Sequence, residues 1–164
     1  MPVIGGLGMK RLIFVICLAV AAALLVPSVA AADQPIREGL PAEDFTIQGS
    51  CAFDVDLQVL VNNEFITTFS DGRQLITGAL KVRLTNVETG KSIDLNISGP
   101  GFITPHEDGS VTFELSGRSL VFLPGLLELT SGPVILEFDP AGNLVSYTKT
   151  SAATVDLCAV LADP

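Results

Sequence analysis

The side chains of residues 51–62 alternate between apolar and polar with a period of two, except at Ala52 and Leu60. The apolar set is Phe53, Val55, Leu57, Val59 and Val61, and the polar set includes Asp54, Asp56 and Gln58. Successive side chains of a β-strand point to opposite faces of the sheet. The pattern therefore predicts a half-buried strand with an acidic outer face.

Turn signals punctuate the rest of the chain at intervals of about 8–12 residues, as they do in β-sandwiches and barrels. We expect a turn at Asn62-Asn63, a hairpin with a type I′ turn at Asp71-Gly72, and another hairpin at Asp108-Gly109. Gly117 is expected to bend or bulge a strand that continues beyond it. Further turn signals lie at residues 99–101, 124–125, 131–132 and 140–143.

One hairpin is defined by several signals at once. Residues 80–84 and 93–97 alternate in the same sense on either side of a four-residue loop. This register pairs Val82 with Leu95 on the apolar face, and it sets Arg83 opposite Asp94 on the outer face. Because pattern, turn and charge agree, the pairing is predicted with these partners.

Together these segments make about nine or ten short strands. The predicted fold is all-β: an antiparallel meander that closes into an up-and-down or partly open barrel, with a two-sheet sandwich as the alternative. Residues 155–161 are expected to form one or two helical turns. Residues 33–49 carry no sustained period and are expected to be an extended leader, which leaves residues 50–164 as a single domain.

The N-terminal segment has the features of a secretory signal peptide. Lys10 and Arg11 precede an apolar run of 15 residues, 12–26, and the small-residue end Ala30-Ala31-Ala32 follows. The run is shorter than the roughly 20 residues of a membrane-spanning helix. We expect residues 1–32 to be removed after Ala32, or alternatively after Ala30, and the mature protein to be secreted without a stable membrane span.

The mature chain is strongly acidic. Of the nine basic residues, two leave with the signal peptide, so seven basic and 18 acidic side chains remain, a formal charge of −11. Phosphates and anionic membrane surfaces would be repelled by such a surface. Nucleic acid is therefore not an expected partner.

Two of the three cysteines, Cys51 and Cys158, survive removal of the signal peptide, because Cys17 lies within it. An even pair in an oxidising compartment is most simply a disulfide. Free thiols are the alternative. A metal site would need further Cys or His ligands, and the chain contains a single histidine.

Several short motifs occur in a fixed order: Cys-x-Phe-x-Val, Thr-Asn-x-x-x-Gly-Lys, Ser-Gly-Arg-Ser-Leu, Phe-Asp-x-x-Gly-Asn-Leu-Val and Leu-Cys-Ala-x-Leu. Together they resemble a group of small, exported, β-rich actinobacterial proteins to which no function is assigned. The resemblance covers most of residues 51–161. It implies a β-rich fold and export, and it carries over no active site, since its motifs are those of strands and turns.

Two pairs of acidic residues are candidates for paired-carboxylate chemistry. Asp54 and Asp56 lie two apart on one strand face, about 6–7 Å between Cα atoms by strand rise. Glu137 and Asp139 have the same spacing. Glycoside hydrolysis uses carboxyl pairs at such separations, together with a cleft. An acidic protein nevertheless fills the solvent face of its strands with Asp and Glu, so the solvated interpretation is favoured.

His106 and Arg118 are the remaining candidates. With a two-residue turn at Asp108-Gly109, His106 faces Val111 on the mainly apolar face, where it is expected to be half-buried and hydrogen-bonded. It is also the only group suited to act as a general base near neutral pH. Arg118, in Gly-Arg-Ser, is a possible anion contact.

The sequence predicts no catalytic residue, cofactor or metal site. The expected function is a secreted, non-enzymatic structural or interaction module whose partner is an envelope or extracellular protein. The alternative is a carrier that holds a small apolar ligand or lipid inside a barrel. A hydrolase using paired carboxylates is the weakest of the three.

Overall fold

The computed structural model describes residues 34–162, so the predicted signal peptide and Cys17 lie outside the described residues. Twelve strands and one short helix make up this part of the chain. The strands are β1 (Ile36–Gly39), β2 (Phe45–Ile47), β3 (Val55–Thr68), β4 (Gln74–Asn86), β5 (Ser92–Asn96), β6 (Gly101–Pro105), β7 (Val111–Leu115), β8 (Arg118–Leu123), β9 (Leu126–Ser131), β10 (Val134–Phe138), β11 (Leu144–Lys149) and β12 (Ala153–Asp156). Helix α1 (Leu157–Ala162) follows. The prediction of an antiparallel β fold with a short C-terminal helix is confirmed.

The strands form two sheets. The large sheet has the order β1-β3-β4-β6-β7-β10-β11, with β2 paired to β3 and β5 paired to β4. The small sheet has the order β12-β9-β8. Among the described residues the end strands β1 and β11 do not pair, so the closed barrel that the sequence favoured is not formed. The disulfide ties Cys51 to a residue of helix α1, and it does not join the first and last strands of one sheet.

The longest hairpin, β3–β4, differs from its prediction. The expected turn at Asn62-Asn63 is wrong, because β3 runs through both residues to Thr68. The side chain of Asn62 accepts a hydrogen bond from the Glu64 N–H at 3.0 Å and donates one to the Leu40 carbonyl at 2.7 Å. Asn62 is therefore satisfied within a strand, although its residue type is typical of turns.

A β-bulge changes the direction of the side chains along β3. The register with β4 shifts between Val59 and Val61, which leaves Leu60 without a partner. Since a one-residue insertion exchanges the two faces, Val61 is more than a third exposed and Glu64 points to the less exposed side. Gly78 pairs with Glu64 at a φ of 133°, and a Cβ at this position would collide with the Asn63 carbonyl oxygen.

The β4–β5 hairpin forms with the predicted register. Val82 pairs with Leu95, and Arg83 pairs with Asp94. The Arg83 guanidinium donates to both carboxylate oxygens of Asp94, at 2.6 and 2.8 Å. These hydrogen bonds lower the pKa of Asp94.

The other predicted hairpins are present, but three of them turn through three residues. The loops end at Gly72, Gly109 and Gly142, each with a φ between 82° and 85°. In the second loop the His106 N–H donates to the Ser110 carbonyl at 2.9 Å, so His106 pairs with Ser110. This is a type I turn followed by a glycine bulge. The type I′ turn predicted at Asp71-Gly72 is therefore wrong, and so is the pairing of His106 with Val111 that a two-residue turn at Asp108-Gly109 would give.

Gly117 separates two strands that belong to different sheets, whereas the sequence predicted a bulge within one strand. Strand β7 precedes it in the large sheet and β8 follows it in the small sheet. At this crossing the Gly99 N–H donates to the Arg118 carbonyl at 2.8 Å. A Cβ on Gly99 would lie only 2.5 Å from that carbonyl oxygen, so the approach of the two chains requires glycine.

The small sheet lies between two halves of the large sheet, because both of its faces are apolar. Leu120, Leu127 and Leu129 pack with the buried residues of β2 to β5. Val121, Leu123 and Leu126 pack with β7, β10 and β11. The core is therefore divided into two clusters, with β8 and β9 between them.

Helix α1 closes the end of the first cluster. Leu157 and Leu161, four residues apart on one helix face, are fully buried. Cys158 forms the predicted disulfide with Cys51, with a Cα–Cα distance of 5.5 Å. The side chain of Asn86 donates to the Leu161 carbonyl at 3.2 Å and so holds the helix against β4.

Candidate functional site: two apolar clefts beside strand β8

An apolar cleft of about 540 Å³ opens between the β2–β4 half of the large sheet and strand β8. We name it the front cleft. Its apolar walls include Phe45, Leu57, Val59, Leu80, Leu120 and Phe122. Phe45 and Phe122, from opposite walls, meet with ring centroids 5.7 Å apart, and both remain more than 40% exposed. Cavities of a few hundred Å³ with such walls are typical of small-molecule and side-chain binding sites.

The connection between β1 and β2 forms the mouth of the front cleft. A carboxylate oxygen of Asp44 accepts the Val59 N–H at 2.7 Å, immediately before the bulge in β3. The Leu40 N–H donates to the Glu64 carbonyl at 2.9 Å. These hydrogen bonds fix residues 40–44 over the strand, although that stretch has no hydrophobic period of its own.

The charge at this mouth is negative. Among residues 34–162, Glu43 and Asp44 are the charged residues that line the front cleft, and no basic side chain of that range lines it. A smaller pocket of about 170 Å³ shares Leu120 with the front cleft and includes Glu64. Burial raises the pKa of Glu64. The site is therefore suited to neutral or cationic groups.

A second apolar cleft, of about 430 Å³, lies on the other face of β8, and we name it the rear cleft. Phe113, Leu115, Leu136 and Phe138 of the large sheet form one wall, and the rings of Phe113 and Phe138 pack edge to face at 5.5 Å. Residues 120–123 of β8 form the other wall. Both clefts thus follow the same strand.

Strand β8 has one free edge. It pairs with β9 on one side, and within residues 34–162 no strand pairs with its other side. The Arg118 carbonyl faces this open side, since it accepts the Gly99 N–H. Because main-chain groups alternate in direction along a strand, the N–H and C=O groups of Leu120 and Phe122 face the same way. They are unpaired by any strand among the described residues.

None of the carboxylates singled out by the sequence is among the residues that line the front or the rear cleft. Asp54 accepts a hydrogen bond from the side chain of Gln48 at 3.1 Å, and Asp56 accepts one from Thr46 at 2.7 Å. Asp56 also lines a polar groove of about 400 Å³. These contacts tie the outer face of β3 to β2 and its flank.

The two members of the second carboxylate pair, Glu137 and Asp139, have different surroundings. Glu137 is exposed on β10. Asp139 accepts hydrogen bonds from the side chain and main chain of Asn143, and these lower the pKa of Asp139. Asp139 thus stabilises the β10–β11 turn.

His106 and Arg118 are both exposed. The predicted half-buried position of His106 is wrong, because the three-residue loop shifts the register by one. Its Nε2 lies 2.8 Å from the Thr112 hydroxyl. Among the described residues no three His, Cys, Asp or Glu side chains converge as metal ligands would.

Glu128 is a partly buried carboxylate whose contacts the sequence did not reveal. It lies on β9 of the small sheet and accepts hydrogen bonds from the Tyr147 hydroxyl at 2.9 Å and from the Lys149 ammonium at 2.9 and 3.1 Å, both on β11. Burial, and then the Glu128 carboxylate, raises the pKa of Tyr147. A polar bridge therefore joins the two sheets beside the second core cluster.

Comparison with family models, with curated proteins and with solved structures finds no match. Within residues 34–162 no helix is long and apolar enough to cross a membrane.

Proposed function

We propose that the protein is an exported, non-enzymatic interaction module that binds an apolar group of its ligand in the front cleft. The observation that carries the proposal is the cleft itself: about 540 Å³ with Phe and aliphatic walls, in a protein of net acidic charge. Two exposed phenylalanines at its rim, Phe45 and Phe122, are side chains that a purely structural domain would gain stability by burying.

Export is part of the proposal. A signal peptide over residues 1–32, cleaved after Ala32, would deliver the mature chain to an oxidising compartment. The Cys51–Cys158 disulfide is compatible with that destination. The proposal includes no catalytic step, because its support comes from an apolar binding surface.

A neutral fluorescent probe, N-phenylnaphthylamine, tests the proposal, since its emission rises in apolar surroundings and its lack of charge avoids repulsion by Glu43 and Asp44. We expect saturable binding to the mature, oxidised protein. Ala42 lines the front cleft and is partly buried. The substitution Ala42→Trp should fill the mouth and weaken probe binding by about tenfold or more.

The matched control is Val145→Trp, which places the same bulky ring on an exposed position of β11. This variant should bind the probe as the parent does. Non-saturable emission, or equal binding by the parent and both variants, would show that the front cleft is not a binding site.

A further inference from the structure

We infer that the ligand is an extended polypeptide segment, which pairs with the free edge of β8 as an additional strand and places alternate side chains in the front and rear clefts. The inference rests on the proposed function, since it takes the front cleft as the binding site and names the chemical class that fills it.

Hydrogen bonding is the first argument. The main-chain N–H and C=O groups of Leu120 and Phe122 face the open side of β8, where no described strand pairs with them. They lie between two apolar clefts, so a bound ligand removes water from them. An aliphatic chain offers these groups no donor or acceptor, whereas a peptide backbone satisfies all of them in one register.

The placement of the two clefts is the second argument. Leu120 and Phe122 share one face of β8 and line both clefts, whereas Val121 and Leu123 share the other face and line the rear cleft alone. An added strand has the same period of two, so its side chains alternate between the two clefts. The length of β8 that lines the rear cleft is four residues, 120–123, about 10 Å of strand at 3.3 Å per residue. A segment of about four successive apolar residues matches it.

Charge complementarity is the third argument. Glu43 and Asp44 lie at the mouth of the front cleft, and neither cleft is lined by Lys or Arg. A basic residue beside the apolar segment would find opposite charge there. The ligand is thus a short run of apolar residues flanked by Lys or Arg, taken up in extended conformation.

The test begins with a random dodecapeptide library displayed on phage and selected on the mature, oxidised protein. We expect the selected peptides to carry about four successive apolar residues beside a basic residue. One selected peptide, synthesised with a fluorescent label, is then used for all binding measurements by anisotropy. Failure of the library to yield a peptide that competes with N-phenylnaphthylamine overturns the inference.

Two variants at one position separate strand pairing from side-chain packing. Phe122→Ala removes the ring and keeps the N–H, and Phe122→Pro removes both. The Phe122 N–H faces away from β9, so proline breaks no bond of the β8–β9 ladder and is tolerated as on other edge strands. We expect Phe122→Pro to bind the peptide at least about tenfold more weakly than Phe122→Ala. Equal affinities overturn the inference.

A measurement on the parent protein keeps the test independent of how the variants fold. Hydrogen exchange should slow at the amides of Leu120 and Phe122 when the peptide saturates the protein. Saturation with N-phenylnaphthylamine should leave their exchange nearly unchanged, because the probe accepts no main-chain hydrogen bond in a strand register. Peptide binding without that protection overturns the inference.

The outcomes also distinguish the inference from the proposed function. Probe binding that is sensitive to Ala42→Trp, in the absence of any competing peptide, leaves the proposed function standing and replaces the polypeptide by a small apolar molecule or lipid. If Ala42→Trp leaves the affinity for the probe unchanged, the proposed function is refuted, and the inference with it.

Discussion

Loss of the Cys51–Cys158 disulfide should lower the stability of the domain substantially. The bond joins residues 107 apart in the sequence. In the chain-entropy model a loop of that length restricts the unfolded chain by about 4.8 kcal/mol at 25 °C. For a mature chain of 132 residues this corresponds to a decrease in Tm of roughly 14–24 °C.

The measurement is thermal unfolding by circular dichroism, with and without a phosphine reductant. The double variant Cys51→Ser, Cys158→Ser is the control, and its Tm should equal that of the reduced parent and not respond to reductant. Urea unfolding supplies a second measure: the reduced chain should show a larger m-value, since its unfolded state is more expanded. A decrease in Tm of only about 3 °C or less would refute the assignment of this stability to the long loop.

Three further predictions concern single side chains. Gly78→Ala should destabilise the domain by about 2 kcal/mol or more, because Gly78 has a positive φ and the new Cβ would collide with the Asn63 carbonyl oxygen. Gly39→Ala is the control and should be nearly neutral, because the space around its Cβ is open. Urea unfolding of both variants measures the difference. Burial raises the folded-state pKa of Glu64 from 4.5, so the stability associated with its protonated form is present at acid pH and is lost as the pH rises through the raised pKa. Glu64→Gln should remove that loss. A difference in unfolding free energy between parent and variant that stays constant from acid to neutral pH would contradict the prediction. Glu128→Gln should lower the pKa of Tyr147, whose hydroxyl donates to Glu128. The titration can be measured by tyrosinate absorbance without interference, because the chain contains one Tyr and no Trp. An unchanged titration would show that burial alone raises the pKa of Tyr147.

The β4–β5 hairpin was predictable because three independent signals coincide. Apolar alternation, a four-residue loop and the Arg83–Asp94 pair all specify one register, and the structure has it. The hairpin at Asp108-Gly109 was predicted with the wrong loop length, since the same dipeptide suits a two-residue turn and the end of a three-residue turn. A difference of one residue is enough to move His106 from the apolar face to solvent.

The bulge in β3 escaped prediction for a related reason. Asn62 and Asn63 are turn-forming residues, and only tertiary hydrogen bonds, such as that from Asn62 to Leu40, keep the strand continuous. Such contacts join residues distant in the sequence, and no local pattern reports them. The outcome at Gly117 could not be predicted for the same reason. Whether Gly117 bulges one strand or separates two strands depends on the sheet in which β8 pairs, and that pairing is a tertiary contact.

The front cleft could be anticipated only in part. Its β3 and β4 walls follow from the alternation of apolar residues, but its mouth comes from residues 41–44, which have no period. Strand β2 has only three residues and pairs at the edge, too short for alternation to be recognised. Phe45, two residues before the buried Ile47, was the one signal available. The second wall, β8, is brought opposite by the sheet crossing at Gly99.

The insertion of the β8–β9 hairpin between the two halves of the large sheet has a consequence for the order of folding. Strand β7 pairs with β10 across the inserted hairpin, and the buried helix α1 completes the first core cluster from the end of the chain. The first cluster is complete only when Leu161 has been added, and the second needs Tyr147 and Ala152. Folds dominated by such distant pairings form slowly. We therefore expect this chain to fold only after most of it has been synthesised, an order that suits the proposed export in an unfolded state.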